Sequence, residues 1–168
     1  MFLRVVSKMS RWDGSNSVNR PGALVCGDAI TDLRTSCNAL SIWMANNDEQ
    51  IEESAAVIAL GRTKLDKVSF ILLEDDEINR INISLKNNKG ECRSVIDDSV
   101  LERHRDLIEL DSVQLEKLSL YMLNQVQQDR CSFKDSGQLK SIIFKMIDER
   151  KVDPTKINDK LKEELGLK

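Results

Sequence analysis

Aromatic residues are only 4% of this 168-residue chain, and it holds two prolines, seven glycines and one histidine. Each scarcity excludes something. With so few aromatics the core must be mostly aliphatic, and the stacking pattern of an RNA-recognition surface is missing. Little proline and glycine argues against a long disordered linker. Four cysteines, Cys26, Cys37, Cys92 and Cys131, form no CxxC pair. With a single histidine they make no zinc-ligand spacing, so they are expected as buried free thiols. No apolar run approaches the roughly 20 residues that span a bilayer. The opening MFLRVVSKM is broken by Arg4 and Lys8, unlike a signal peptide. The expectation is a cytoplasmic protein with no membrane association. No glycine-rich phosphate loop and no GxSxG elbow is present, and no cofactor is expected.

Charge is unevenly spread. Residues 1–20 carry four bases and one acid, a net +3; residues 46–117 carry 17 acids and 10 bases, a net −7; residues 138–168 carry 8 bases and 6 acids, a net +2. An acidic middle repels phosphate backbones and disfavours nucleic-acid binding, leaving only local contacts from the basic ends.

Patterning predicts an α+β fold whose N-terminal half is α/β-like. Phe2 to Met9 reads as a strand, and Ser10 to Pro21 as a loop. Asp28 to Ser36 reads as helical through Ala29, Ile30, Leu33 and Cys37. Ala39 to Met44 alternates as a strand. Asn47 and Asp48 cap a helix carrying Ile51, Ala55, Ile58 and Ala59, with Gly61 as its stop. The apolar strand Val68 to Leu73 follows. This predicts a βαβ unit with parallel strands in a small mixed sheet. Asp75 or Asp76 then caps a short helix ending at Asn82, and Ile83 to Val95 resembles a hairpin.

From Ser99 the pattern is helical, with capping boxes expected at Ser99/Glu102, Asp111/Gln114 and Asp135/Gln138. The helix from Ser112 is apolar around more than half its circumference. The helix from Asp135 carries the cleanest stripe: Leu139, Ile142, Ile143, Met146 and Ile147. Asp153–Pro154 opens the last helix, with Ile157, Leu161 and Leu165, ending at Gly166. The expected organisation is a mixed α/β portion, 1–96, around a central strand at 67–73, and a helical portion, 99–168, packed on it as one unit.

The most informative stretch is KVSFILLEDDEINRINI, residues 67–83, where an apolar strand stops at Glu74, Asp75, Asp76 and Glu77. Carboxylates at a strand end can hold Mg²⁺, with Glu74, Asp75 and Asp76 as the candidate ligands, or act as acids and bases. They are also what a helix N-terminus prefers. The tetrapeptide His104–Arg105–Asp106–Leu107 copies a protein-kinase catalytic loop, but no other kinase element accompanies it. It is expected on or beside a helix. His104 is still the one near-neutral titrating side chain, which makes His104 and Asp106 the candidate catalytic pair. Trp12 beside Arg11 in a polar loop has the composition of an interaction hot spot, or could fold back onto the core.

Two classes of function follow. Absent motifs and an acidic middle point to a non-enzymatic interaction protein: an adaptor, inhibitor, or antitoxin- or immunity-like partner of another, basic protein. Its interaction residues would be Trp12, Arg11, Glu74, Asp75, Asp76 and Glu77. The alternatives are a metal-assisted hydrolase or nuclease-like enzyme using the acid cluster, and a nucleic-acid-associated module using the basic ends.

Overall fold

The chain begins in a strand, β1 (Phe2–Val6), that ends up inside a sheet rather than at its edge. The computed structural model describes residues 1–12, 25–89 and 95–167. After β1 come β2 (Leu40–Met44), α1 (Asp48–Leu60), β3 (Val68–Leu73), α2 (Asp75–Arg80) and β4 (Ser84–Asn87). Then follow α3 (Asp98–Leu101), β5 (His104–Ile108), α4 (Ser112–Gln127), β6 (Cys131–Lys134), α5 (Ser136–Asp148) and α6 (Asp159–Leu165). Short 3-10 turns lie at Met9–Arg11, Ala29–Leu33 and Pro154–Lys156. The fold is α+β. Among the described residues no helix is long and apolar enough to cross a membrane.

The six strands form one sheet in the order β4-β5-β2-β1-β3-β6. Every neighbouring pair is antiparallel, which corrects the expected mixed sheet. The strand–helix–strand unit β2–α1–β3 exists, and its two strands run the same way. They are not neighbours, because β1 lies between them and pairs with both. An interposed antiparallel strand is invisible to local patterning, since it comes from outside the unit.

Strand alternation sends side chains to two aliphatic cores. On one face Leu3, Trp43, Val68 and Phe70 pack with α1, α5 and α6. On the other, Phe2, Val6, Leu40, Ile42, Ile71 and Leu73 pack with α2, α4 and the turn Ala29–Leu33. β3 is buried at five of its six positions, as a strand covered on both faces should be.

The local helix signals mostly hold. Asn47 caps α1, its side chain accepting from the Gln50 amide at 2.9 Å. Asp111/Gln114 and Asp135/Gln138 are both complete capping boxes. Asn82 ends the α2 segment in the left-handed region (φ 61°), and Gly166 closes α6 at φ 77°. Several details differ. Glu74, not Asp75 or Asp76, is the residue before α2. Asp97 caps the single turn α3 through the Ser99 amide, in place of a Ser99/Glu102 box. Of the segment Asp28–Ser36 only Ala29–Leu33 is helical, as a 3-10 turn; Ile30 is exposed on it, and Cys37 is exposed beyond it.

The larger corrections concern the C-terminal half. It is not purely helical. His104–Arg105–Asp106 lies on β5, paired to β2 with Trp43 opposite His104, and not on a helix. The helix before it stops after four residues, so these side chains join the sheet. β4 pairs with β5; the turn and second strand of the expected hairpin fall on residues 90–94, which lie outside the described residues. β6 adds a sixth strand beside β3. Strands from 1–96 and 99–168 therefore share one sheet.

The turn after α5 offers a pH readout. Asp153 accepts from the Thr155 hydroxyl at 2.6 Å and its amide at 3.0 Å, and pairs with Lys156. These contacts, the Thr155 hydroxyl first, hold its carboxyl down to about 2 from an ordinary 3.8. A depressed carboxyl stabilises above its unfolded pKa, and that contribution is lost as pH falls through about 2. The Asp153 carboxyl carbon should titrate in NMR with a midpoint near 2, and Thr155→Val should raise it. A wild-type midpoint near 4 would show that these bonds do not persist in solution.

Candidate functional site

The acid cluster sits where β3 hands over to α2. The Glu74 amide donates to the Tyr121 hydroxyl at 2.7 Å, which anchors the strand end to α4. The carboxylates do not converge. Glu74 pairs with Arg130, Asp75 with the Met1 amino group, and Glu77 with Arg80. Asp75 and Asp76 are exposed. Cations already stand at three of the four acids, so the expected Mg²⁺ ligands Glu74, Asp75 and Asp76 do not share a pocket.

His104 and Asp106 point to the same sheet face from β5. Asp106 is buried and accepts from the Ser41 hydroxyl at 3.0 Å and the Asn88 side-chain amide at 2.5 Å. His104 Nδ1 is 2.6 Å from the Asn88 carbonyl oxygen. A carbonyl only accepts, so Nδ1 carries the proton. The His104 ring packs edge-on against Trp43, centroids 4.9 Å apart. Thus the pair communicates through Asn88, not directly. Beside it opens a cleft of about 510 Å³ lined by Asn87, Asn88, Lys89, Leu101, Glu102, His104 and Arg105. Its charges are turned inward on the protein. Arg105 donates to the Glu102 and His104 carbonyls, and Lys89 pairs with Asp98.

β1 and β2 lie between β3 and β5. Three strand spacings of about 4.8 Å put the His104 strand roughly 14 Å from the strand carrying Glu74. That is beyond the about 10 Å over which charges interact at 0.1 M salt. The acids and His104 do not form one site.

Trp12 takes the second of its two expected roles. It is fully buried, and its indole N–H donates to Asp32 at 2.8 Å. The hot-spot expectation is corrected: a side chain inside the core offers nothing to a partner. Arg11 beside it bonds to Ser7 and Thr31. The same Asp32 carboxylate accepts the Ser7 amide at 2.9 Å, and Arg4 donates to the Asp32 and Ser41 carbonyls. Burial lowers the Arg4 guanidinium to about 10, with Asp32 acting the other way.

Two features had no forecast. The first joins α1 to α5. Carboxylate oxygens of Glu49, Glu53 and Glu149 come within 4.8 Å of one another. Three cations occupy them: Lys145 on Glu49 at 2.8 Å, Lys151 on Glu149 at 2.8 Å and on Glu53 at 2.6 Å, and Arg103 on Glu53 at 2.6 Å. The Lys145 and Lys151 ammonium pKa values are raised by these bonds. With each carboxylate already neutralised, this donor set suits an ion-pair network and not a metal. The second is an apolar groove of about 290 Å³ between the turn Ala29–Leu33 and α4. Ile30, Leu33, Ser112, Leu115, Glu116 and Ser119 line it. Ile30 is 56% exposed, and Val113, which follows the lining residue Ser112 on α4, is 53% exposed. The sequence held one signal for it: α4 is apolar around more circumference than one packed side requires.

Cys26 and Cys131 are half-buried, Cys37 is exposed, and Cys92 lies outside the described residues. Burial, with Asp129, pushes the Cys131 thiol above its ordinary value, away from a nucleophilic thiolate.

No protein-family model, curated protein or solved structure matches the chain.

Proposed function

We propose that the protein is a non-enzymatic interaction module of the cytoplasm, acting as an adaptor, inhibitor or immunity-like partner of a basic protein. One observation carries the reading. Ile30, a large aliphatic side chain, stands exposed on a groove that Glu116 also lines; Asp28 and Asp111 directly precede its two lining segments, Glu109 stands two residues before Asp111, and Val113 is exposed beside Ser112 in the chain. Among the described residues none of these four carboxylates makes an ion pair, whereas Glu49, Glu52, Glu53, Glu74, Glu77 and Glu149 all do. An apolar centre with a charged rim is the composition of a docking surface. The net −7 of residues 46–117 would steer a positive partner towards it. Free thiols at Cys26, Cys37 and Cys131 fit a reducing compartment.

Cross-linking in cells, followed by mass spectrometry, tests the proposal with wild type against Glu109→Lys/Glu116→Lys. Both positions are exposed, so the fold should tolerate the change. The wild type should capture a basic protein in stoichiometric amount, and the charge reversal should lose it. Identical capture profiles from the two proteins would remove the basis of the reading.

A further inference from the structure

We infer that the groove between the turn Ala29–Leu33 and α4 seats a large apolar side chain carried by a lysine- or arginine-rich segment of a partner protein. This rests on the interaction reading above and makes it specific.

The groove, at about 290 Å³, has room for a large apolar side chain. Its floor is apolar, from Leu33 and Leu115, and Ser112 and Ser119 contribute small side chains that leave it open. Ser112, Leu115, Glu116 and Ser119 share one side of α4, at helical spacings of three and four. Val113 stands one stripe further round, beside Glu116, and extends the apolar edge. The 3-10 turn supplies the opposite wall. Ala29 and Leu33 of this turn are buried, and Ile30 stands exposed on the rim.

Charge argues for the sign of the partner. Glu116 lines the groove itself. Asp111 caps α4 next to Ser112, Asp28 precedes the turn, and Glu109 precedes the cap. Arg34 and Lys117 are the bases next to these segments in sequence and Arg11 bonds to Thr31 of the turn, so four acids stand against three bases. An acidic segment or an anionic membrane surface would meet repulsion here, and a cationic segment attraction.

The probe is a synthetic amphipathic helix with leucine at i, i+3, i+4 and i+7 and lysine elsewhere. A second peptide replaces lysine with glutamate. Binding is followed by fluorescence anisotropy and by amide shifts of the full-length protein. The Leu/Lys peptide should bind and shift Ile30, Leu33, Leu115 and Ser119, and the Leu/Glu peptide should not. Ile30→Gln and Val113→Gln alter exposed side chains and should leave the fold intact. Each should weaken binding by about tenfold, and Glu116→Lys should weaken it and flatten its salt dependence. Absence of Leu/Lys binding, or equal binding of the Leu/Glu peptide, overturns the inference. Shifts confined to Asp75 and Asp76 would overturn the groove while leaving an acidic docking surface standing. A wild-type dimer that Ile30→Gln splits would give the groove to a second copy of this chain and overturn the basic partner.

Discussion

Glu53→Ala should destabilise the protein by about 3 kcal/mol, at the lower end of the cost of breaking a buried ion pair. Glu53 projects from α1 with its side chain 8% exposed, and its two oxygens hold Arg103 and Lys151, each at 2.6 Å. Arg103 immediately precedes β5, and Lys151 follows α5, so one carboxylate ties three segments together. Removing it leaves the Arg103 guanidinium, itself only 14% exposed, without its anion. The Arg103 Nη1 already lacks a hydrogen-bond partner, and the carboxylates that converge on Glu53, those of Glu49 and Glu149, are already held by Lys145 and Lys151. Lys151 suffers less, because it is 30% exposed and keeps Glu149 at 2.8 Å. That asymmetry is why the low end of the range is expected. For a chain of this size, Tm should fall by about 6–12 °C. Urea unfolding should show a lower midpoint with an unchanged m-value. A loss below about 1 kcal/mol would mean that water, and not Glu53, solvates Arg103. Replacing Glu53 and Arg103 together with aliphatic residues should recover most of the loss, since the buried charges then leave as a pair.

Trp12→Ala should cost about 4 kcal/mol, from the lost packing of a fully buried indole and the cavity that remains. A second contribution comes from Asp32, whose Oδ2 accepts the indole N–H at 2.8 Å. Trp12→Phe isolates it: most of the ring packing stays while the carboxylate loses a donor, at about 1–3 kcal/mol. Against a typical total stability of about 5–15 kcal/mol, the alanine variant should be close to the unfolding threshold. Chemical denaturation of both variants measures this. If Trp12→Ala unfolds like wild type, the indole is not in the core in solution. Capture of a partner by the folded Trp12→Phe protein should match wild type, because the side chain is sealed from the surface.

The covered strands were readable because their signals are local. In β2, Leu40 and Ile42 alternate with Ser41 and Trp43, and the structure buries Leu40 and Ile42 on one face and Trp43 on the other, as that alternation requires. Caps were readable for the same reason: Asn47, Asp111 and Asp135 each bond an amide three residues on. β5 was not readable. VLERHRDLIEL fits a helical spacing as well as a strand, and what decides is the hydrogen-bonding edge that β2 offers. β6 is shorter still, four residues with two exposed, too few to show a period. Of the candidate site, the acids after β3 and the isolated histidine were visible as residue types. Their separation was not, because it depends on β1 and β2 lying between their strands. The groove residue Ile30 looked like core because Asp28 to Ser36 fits an α-helical stripe; the structure makes a 3-10 turn of Ala29–Leu33 and leaves Ile30 exposed.

The sequence by itself determined an α+β chain with an aliphatic core, where most helices begin, and that β3 is covered on both faces. These follow from side-chain period and from caps that close within a few residues. Only the tertiary structure decided that the sheet is antiparallel throughout, that Trp12 is buried on Asp32, and that three glutamates on α1 and after α5 meet three cations. It also decided that a groove opens beside α4. Each of these depends on which distant segment supplies the next strand or the opposite charge, and no short stretch of chain carries that information.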